Sequence, residues 1–127
     1  MPKFSEIAFT CYPVTEMARS RSFYEGVLGL KPTWLVGEPG GMQWTEYDIG
    51  SGTLSIGVAP GWNPTSDGCC VGLECEDFDA TIAHLKANHV AFKMDPFPTP
   101  VCKMAFIFDP DKNVVCMHKR HGKQVET

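Results

Sequence analysis

The side chains best suited to metal binding or bond making in this 127-residue chain are six cysteines and four histidines. Cys116 and His118 lie two residues apart, so on a strand both side chains point to the same face. Thiol and imidazole together suit a soft ion such as zinc. No C-x-x-C pair occurs and the N-terminus lacks a signal peptide's apolar run, so reduced, mostly buried thiols are expected. The cysteines are Cys11, Cys69, Cys70, Cys75, Cys102 and Cys116.

Other catalytic patterns are missing from the sequence. His84 and His89 lie on or just after a predicted helix, where an exposed histidine is expected. Gly40 and Gly41 suit a turn, and no Ser-His-Asp order, phosphate-binding glycine loop or paired carboxylate site can be argued. A reactive cysteine would need nearby positive charge to lower its pKa, and His118 is the evident source.

Charge and hydropathy exclude several classes of partner. The net charge is -4, and no basic stripe suits nucleic acid. The local basic run at 119–123 is explained by a solvated C-terminal tail. No segment approaches the roughly 18 apolar residues that cross a bilayer. We therefore expect a cytoplasmic protein that binds neither nucleic acid nor membrane.

The first half of the chain has the pattern of one strand, one helix and three further strands. Alternation around residues 7–11 indicates the first strand, and apolar residues at helical spacing over 16–28 indicate an amphipathic helix, with Thr15 as N-cap and Gly29 at its end. Short runs at 33–36, 42–48 and 53–59 indicate the other strands.

The second half repeats this order after a linker at about 60–68 that is rich in glycine and proline. A strand over 70–75, a helix over 79–88 capped by Asp77 or Asp79, and strands at 91–94, 103–108 and 113–119 are predicted. Three prolines make residues 96–100 extended. We expect a single domain, 1–127, built of two modules at about 4–59 and 69–121.

The two halves also match each other at an offset of 61 residues. Tyr47-Asp48 falls on Phe108-Asp109, and Leu54-Ser55-Ile56 falls on Val115-Cys116-Met117. A 60-residue half would expose an apolar sheet face if it were alone. The expected fold is therefore α+β, with two tandem βαβββ modules forming a curved mixed sheet and a central cleft.

Two segments resemble the vicinal oxygen chelate superfamily, which includes glyoxalase I, extradiol dioxygenases and bleomycin-resistance proteins. Residues 14–30 are similar to its first helix, and Asp109-Pro110-Asp111-Lys112-Asn113 looks like its D-P-D-G-N turn. In metal-dependent members, the resemblance implies, His, Glu or Gln from the first and last strands of each module hold a divalent ion.

Counting from these motifs places the implied ligand positions on Phe9 and Ser55 in the first module and on Cys70 and Cys116 in the second. A phenyl ring cannot ligate a metal, and a serine hydroxyl is a poor neutral donor. We therefore expect no metal cofactor, and keep zinc held by Cys70, Cys116 and His118 as the alternative. The predicted ligand-binding residues are Phe9, Ser55, Cys70, Met104, Cys116 and His118.

A cleft with this lining suits a small, partly hydrophobic organic molecule, and large side chains such as Trp34, Trp44 and Phe106 would form its walls. Trp62, in the linker, suits a lid or a dimer contact. We favour a glyoxalase-like or bleomycin-resistance-like binding protein without the usual divalent metal. The alternative is a superfamily enzyme, a lyase, isomerase or dioxygenase, with an atypical metal site or a cleft cysteine in its chemistry. The resemblance also implies a homodimer.

Overall fold

A computed structural model describes residues 1–121, so Gly122 and Lys123, the end of the predicted basic tail, lie outside the described residues. The chain divides into two compact units, Met1–Pro64 and Thr65–Thr127. The boundary falls in the segment predicted as the linker. None of the helices found between residues 1 and 121 is long and apolar enough to cross a membrane.

Unit 1 consists of a mixed four-stranded sheet and one helical segment, with strand order β1-β4-β3-β2. Strands β1 and β4 are parallel, and the other neighbours are antiparallel. Helix α1 continues directly into a π-helical stretch, Ser22–Val27, in which the Leu28 amide bonds the Phe23 carbonyl at 3.0 Å. The elements are β1 Thr10–Pro13, α1 Met17–Arg21, β2 Trp34–Gly37, β3 Gln43–Ile49 and β4 Gly52–Val58.

Unit 2 has the same arrangement, with strand order β5-β8-β7-β6. Its first and last strands are again parallel. The helix begins after Asp77, whose side chain accepts a hydrogen bond from the Ala80 amide at 3.0 Å, so the first of the two predicted caps is the one used. The elements are β5 Val71–Glu74, α2 Phe78–Ala87, β6 Phe92–Pro98, β7 Cys102–Phe108 and β8 Val114–Arg120.

The α+β class and the tandem βαβββ order are therefore confirmed. Within residues 1–121 the eight strands form two four-stranded sheets rather than one continuous sheet, and neither closes into a barrel. β1 is shorter than predicted, because residues 7–9 precede its first paired residue. Thr15 is not the helix cap. Glu16 occupies that position without a side-chain cap, and Thr15 accepts a hydrogen bond from Arg19.

The segment containing Pro96 and Pro98 was predicted as a break between strands, but it forms the second half of β6. β6 is an edge strand, where a residue without an amide hydrogen is tolerated. The pairing with β7 shifts register between Met94 and Phe97, across Pro96, after an earlier shift between Phe92 and Met94. The prolines thus interrupt the ladder without ending the strand.

In unit 1 the helix packs on one face of the sheet through a buried aromatic and aliphatic core. Tyr24 stacks on Tyr47 with ring centroids 6.2 Å apart, and Thr45 donates to the Met17 sulfur at 3.3 Å. Leu54 and Ile56 on β4 are fully or almost fully buried. Burying each large apolar side chain is worth about 1.5–3 kcal/mol, so this face holds the unit together.

Unit 2 buries the corresponding face against α2. Lys103 on β7 lies over the ring of Phe78 on α2, with its Nζ 5.3 Å from the ring centroid. Ala105 and Ile107 have the same strand parity as Lys103, so α2 covers the face on which all three lie. Ala105 and Ile107 are fully buried, as is Leu85 on α2. Each sheet therefore has one helix-covered face and one face opposite its helix, called here the helix-free face.

The strand registers refine the repeat. Leu54 pairs with Tyr47, and the equivalent Val115 pairs with Ile107. The offset is thus 61 for β1 with β5 and β4 with β8, but 60 for β3 with β7. Tyr47 therefore corresponds to Ile107, not to Phe108 as the constant offset predicted.

The extra residue lies in the turn before β8. Asp109 is buried and its Oδ1 accepts from the Asp111 and Asn113 amides at 2.8 and 2.9 Å. Its other oxygen accepts from the Asn113 side-chain amide at 2.9 Å. Lys112 has φ 67°, a left-handed conformation that favours glycine. The turn resembling D-P-D-G-N is thus held by side-chain bonds although its glycine is replaced.

Candidate functional site

Two of the predicted ligand-binding residues lie in unit 1. Phe9 immediately precedes β1 and is 48% exposed, while Ser55 lies in the centre of β4 and is fully buried. Ser55 is directly opposite Glu46 in the β3–β4 ladder, and Cys11 is its partner on β1. Ser55 alternates with Leu54 and Ile56 of the core, so its side chain points to the helix-free face.

Three aromatic rings gather on this helix-free face. Phe9 contacts Trp44 edge-on with centroids 5.5 Å apart, and Trp44 stacks with Trp62 at 6.3 Å and an interplanar angle of 17°. Gly57 makes room for the two indoles, since a Cβ there would lie 2.7 Å from Trp62 and 2.9 Å from Trp44. We call Phe9, Trp44 and Trp62 the aromatic cluster.

A carboxylate is fixed beside the aromatic cluster. The Trp44 indole Nε1 donates to Glu46 Oε2 at 2.8 Å. Trp34 on edge strand β2 pairs with Glu46 and is 60% exposed. The face therefore combines ring surfaces with an oriented anionic acceptor.

The two predicted cysteines of unit 2 differ in environment. Cys70 is exposed just before β5, whereas Cys116 in β8 is buried and donates to the Met117 carbonyl at 3.6 Å. Burial raises the pKa of Cys116 to about 11, and nearby Cys70, Cys102 and Cys75 add to the rise. On the order of one Cys116 thiol in ten thousand would be ionised at pH 7. This sulfur is poorly suited to act as a nucleophile.

His118 is held by a carboxylate. Its Nδ1 lies 2.6 Å from Glu74 Oε1, and Glu74 Oε2 accepts from the Arg120 amide at 2.7 Å. The hydrogen bond from the Arg120 backbone amide is the main cause that lowers the pKa of Glu74, and the hydrogen bond with His118 is the second. An ionised Glu74 accepts a hydrogen bond from Nδ1–H, so in the neutral imidazole Nε2 is the acceptor nitrogen. Met104 pairs with His118 in the β7–β8 ladder and is half-buried on the same face.

A separate cavity of about 310 Å³ lies in unit 1 between α1 and strands β2 and β3. Arg21 at its border binds Glu25 at 2.6 and 3.1 Å, and Glu25 also accepts from the Tyr47 hydroxyl at 2.9 Å. None of the six predicted ligand-binding residues lines this cavity. Its lining residues are Met17, Ala18, Arg21, Leu35, Val36, Gly37, Pro39, Gln43, Trp44 and Thr45.

A comparison of the sequence with protein-family models assigns the chain to a family that fits this architecture. Residues 6–117 match the model of the Glyoxalase/Bleomycin resistance protein/Dioxygenase superfamily. The chain belongs to this superfamily. The match extends over both βαβββ modules, so the family rests on the whole repeat and not on a single motif.

Solved structures share the fold of this chain at low sequence identity. Glyoxalase I from Leishmania major is 18% identical, with a TM-score of 0.74 over 91% of this chain and 87% of that one. TnmS3, an antibiotic binding protein from Streptomyces sp. CB03234, is 22% identical, with a TM-score of 0.72 over 94% and 99%. SMU.1112c is 19% identical, with a TM-score of 0.76 over 92% and 100%.

No curated protein matches the chain by sequence. The structural similarities, all below 25% identity among these three, establish the fold of the superfamily and leave the chemistry to the residues of this chain.

The residues at the superfamily's implied metal positions do not fit a divalent ion of the harder kind. Phe9 has no donor atom, and Ser55 offers a neutral hydroxyl. Cys70 and Cys116 are the two possible ligands, and the second carries a proton at neutral pH. Among residues 1–121 no three His, Cys, Asp or Glu side chains are grouped to hold a metal ion.

Sequence reasoning missed three contributors to these faces. Glu46 shares strand parity with Trp44, which was available as a signal. Glu74 shares parity with Cys70 in the same way, but its bond to His118 depends on the parallel β5–β8 register. Trp62 was assigned to a lid or dimer contact, and only the bare backbone of Gly57 on the facing strand hints at its position.

Proposed function

We propose that this superfamily member binds a small, planar, partly hydrophobic organic molecule on the helix-free face of unit 1, without the usual divalent metal. The observation that carries the proposal is the aromatic cluster beside an oriented carboxylate. Phe9 is half exposed and the two indoles lie nearly parallel, so ring surface is available for stacking. Aromatic faces with few polar groups are typical of small-molecule sites.

The chemistry of the implied metal positions supports binding over metal-assisted catalysis. A phenyl ring and a neutral hydroxyl replace two ligands, and a buried protonated thiol replaces a third. A protein that binds its ligand without a metal does not need a metal-coordinating side chain at any of these three positions. That TnmS3 is described as an antibiotic binding protein is consistent with the same use of the fold.

Isothermal titration of planar aromatic compounds against the full chain tests the proposal. We expect saturable binding that Trp44→Leu weakens at least about tenfold, because a stacked ring contributes on the order of 1 kcal/mol beyond its buried area. Leu35→Ala is the control, since it removes an exposed apolar side chain of β2 whose parity places it on the helix-covered face. Equal losses from both variants would contradict a site at the aromatic cluster.

A second candidate function is proton transfer by a superfamily enzyme, and the Glu74–His118 pair favours it. A carboxylate 2.6 Å from Nδ1 fixes the tautomer that a general base requires. His118→Gln would abolish any such turnover and leave ligand binding in unit 1 intact. If binding at the aromatic cluster is lost in that variant, the two sites are not independent.

The cytoplasmic location and the homodimer remain proposals from the sequence. Exposed apolar residues on edge strand β2, including Leu35 at 51% and Val36 at 48%, are compatible with a covered edge in a dimer. Light scattering during size-exclusion chromatography would measure the mass, and a monomer at micromolar concentration would contradict the dimer.

A further inference from the structure

The polar atoms beside the aromatic cluster specify the charge of the ligand. Glu46 Oε2 is occupied by the Trp44 indole, and Oε1 makes no hydrogen bond among residues 1–121. Glu46 is partly exposed. One carboxylate oxygen is therefore available at the edge of the ring surface.

A second acceptor lies next to Glu46. Ser55 faces it directly across the β3–β4 ladder, and side chains at such positions are about 5 Å apart at Cβ. Ser55 Oγ is buried and has no hydrogen-bond partner in the part of the chain that the structure describes. Buried hydroxyl groups in proteins almost always have a hydrogen-bond partner, because leaving one unpaired is destabilising. An orphaned hydroxyl pointing to this face is explained if a ligand supplies the missing partner.

The strands of unit 1 carry only negative charge. They contain no Lys, Arg or His, whereas Glu46 and Asp48 both lie on the helix-free face. An anionic ligand on this face would meet two carboxylates and no cation from the strands. A cation is favoured by the carboxylates and by the faces of the indoles.

We propose that the ligand is a planar aromatic ring bearing an aminomethyl or amidine group, which is positively charged at neutral pH. The ring stacks on the aromatic cluster, and the charged group donates to Glu46 Oε1 and towards Ser55 Oγ. This inference rests on the proposed function, because it names the class of ligand for the same site. It also predicts that carboxylates and phosphates of similar shape are rejected.

Three probes with one ring system and different charges test the inference. Calorimetry with the full chain would compare 1-naphthylmethylammonium, 1-naphthylmethanol and 1-naphthoate at pH 7. We expect the ammonium to bind at least about tenfold more tightly than the alcohol, since a hydrogen bond between charged groups is about twice as strong as one between neutral groups. The carboxylate should bind most weakly.

Matched variants locate the charge preference. Glu46→Gln keeps an oxygen for the Trp44 indole and removes the charge, so the ammonium should lose at least about tenfold while the Kd of the alcohol is retained. Asp48→Asn makes the same charge change two residues away, on a side chain that already accepts from the Thr53 hydroxyl at 2.9 Å. It should change the ammonium Kd less than about threefold. Ser55→Ala should weaken the ammonium several-fold without unfolding the chain, as thermal melts would verify.

The possible results distinguish a failure of the charge preference from a failure of the binding function. If the alcohol binds as tightly as the ammonium, the charge inference fails and the binding function stands. If Asp48→Asn matches Glu46→Gln, the preference is a general field effect and the assignment to Glu46 fails. If none of the three probes binds, the proposed function fails and the charge inference fails with it.

Discussion

The two units share their helix-covered faces and differ on their helix-free faces. In unit 1 the helix-free face carries indoles, two carboxylates and an unpaired hydroxyl, with no cationic residue on any strand. The corresponding face of unit 2 carries thiols, Met104 and a histidine bound to Glu74. The duplication thus preserved the surface that folds each unit and left the other surface to acquire separate chemistry.

The largest effect is expected where the two units are equivalent. Ile56 and Met117 occupy matching positions on β4 and β8 and are almost completely buried. Ile56→Ala and Met117→Ala should each lower the free energy of unfolding by about 2–5 kcal/mol. Denaturant titration measures both losses. A large loss in one unit and a negligible loss in the other would break the comparison.

The glycines of the helix-free faces should respond differently. Gly57→Ala forces the Trp44 and Trp62 rings apart and should cost about 1–3 kcal/mol, with a change in tryptophan fluorescence. Gly72→Ala in unit 2 is the control, because a Cβ there meets no atom within 4 Å. It should alter stability by less than about 0.5 kcal/mol. Equal effects would show that the indoles are not packed over Gly57.

The helices are anchored by different polar groups. Glu25 in unit 1 binds Arg21 and Tyr47, and the Arg21 bond lowers the pKa of Glu25 below its ordinary value. Its stabilising contribution is therefore present above the unfolded pKa and is lost as the pH falls through the lower folded value. Glu25→Gln should cost about 1–2 kcal/mol at pH 7 and progressively less below pH 4. Unfolding curves at pH 7 and pH 3 check the sign of this pH dependence.

In unit 2 the corresponding polar group is the helix cap. Asp77→Ala should lower the free energy of unfolding by about 1 kcal/mol, because the cap is lost.

The smallest effect on stability, and the sharpest on reactivity, concerns the thiols. Exposed Cys69 and Cys70 should react rapidly with a disulfide reagent at pH 7, while Cys116 stays protected until the chain unfolds. Elemental analysis of the purified protein, with Cys116→Ser as control, tests the metal in parallel. Stoichiometric zinc that disappears in the variant would contradict metal-free binding.

Much of the fold was predictable because period and turn chemistry act locally. The alternation around residues 7–11, the short runs between turn residues and the predicted cap of α2 indicated the modules, and every predicted strand and helix exists. The limits of β1 and β6 were not predictable, because pairing partners decide where a strand ends. Pro96 and Pro98 are tolerated only because β6 is an edge.

The candidate site was less predictable. Phe9 and Ser55 were placed in the predicted site by counting from the motifs of the resemblance, and both lie on the helix-free face of unit 1. The contact of Trp62 with Trp44 depends on the path of a loop, and the bond between His118 and Glu74 depends on parallel register. Neither can be read from spacing along the chain.

The single extra residue in the turn before β8 has a practical consequence for altering this molecule. Counted between equivalent paired residues, the connection from β7 to β8 is one residue longer than the connection from β3 to β4, yet the side chains of both strand pairs keep their faces. The extra residue lies outside the paired residues of the strands. The matching turn in unit 1, at Gly50 and Ser51, is exposed and joins β3 to β4 directly. A peptide tag or a fluorescent reporter inserted there would leave both sheets intact. A single residue inserted within β4 ahead of Ser55 would instead move Ser55 to the opposite face.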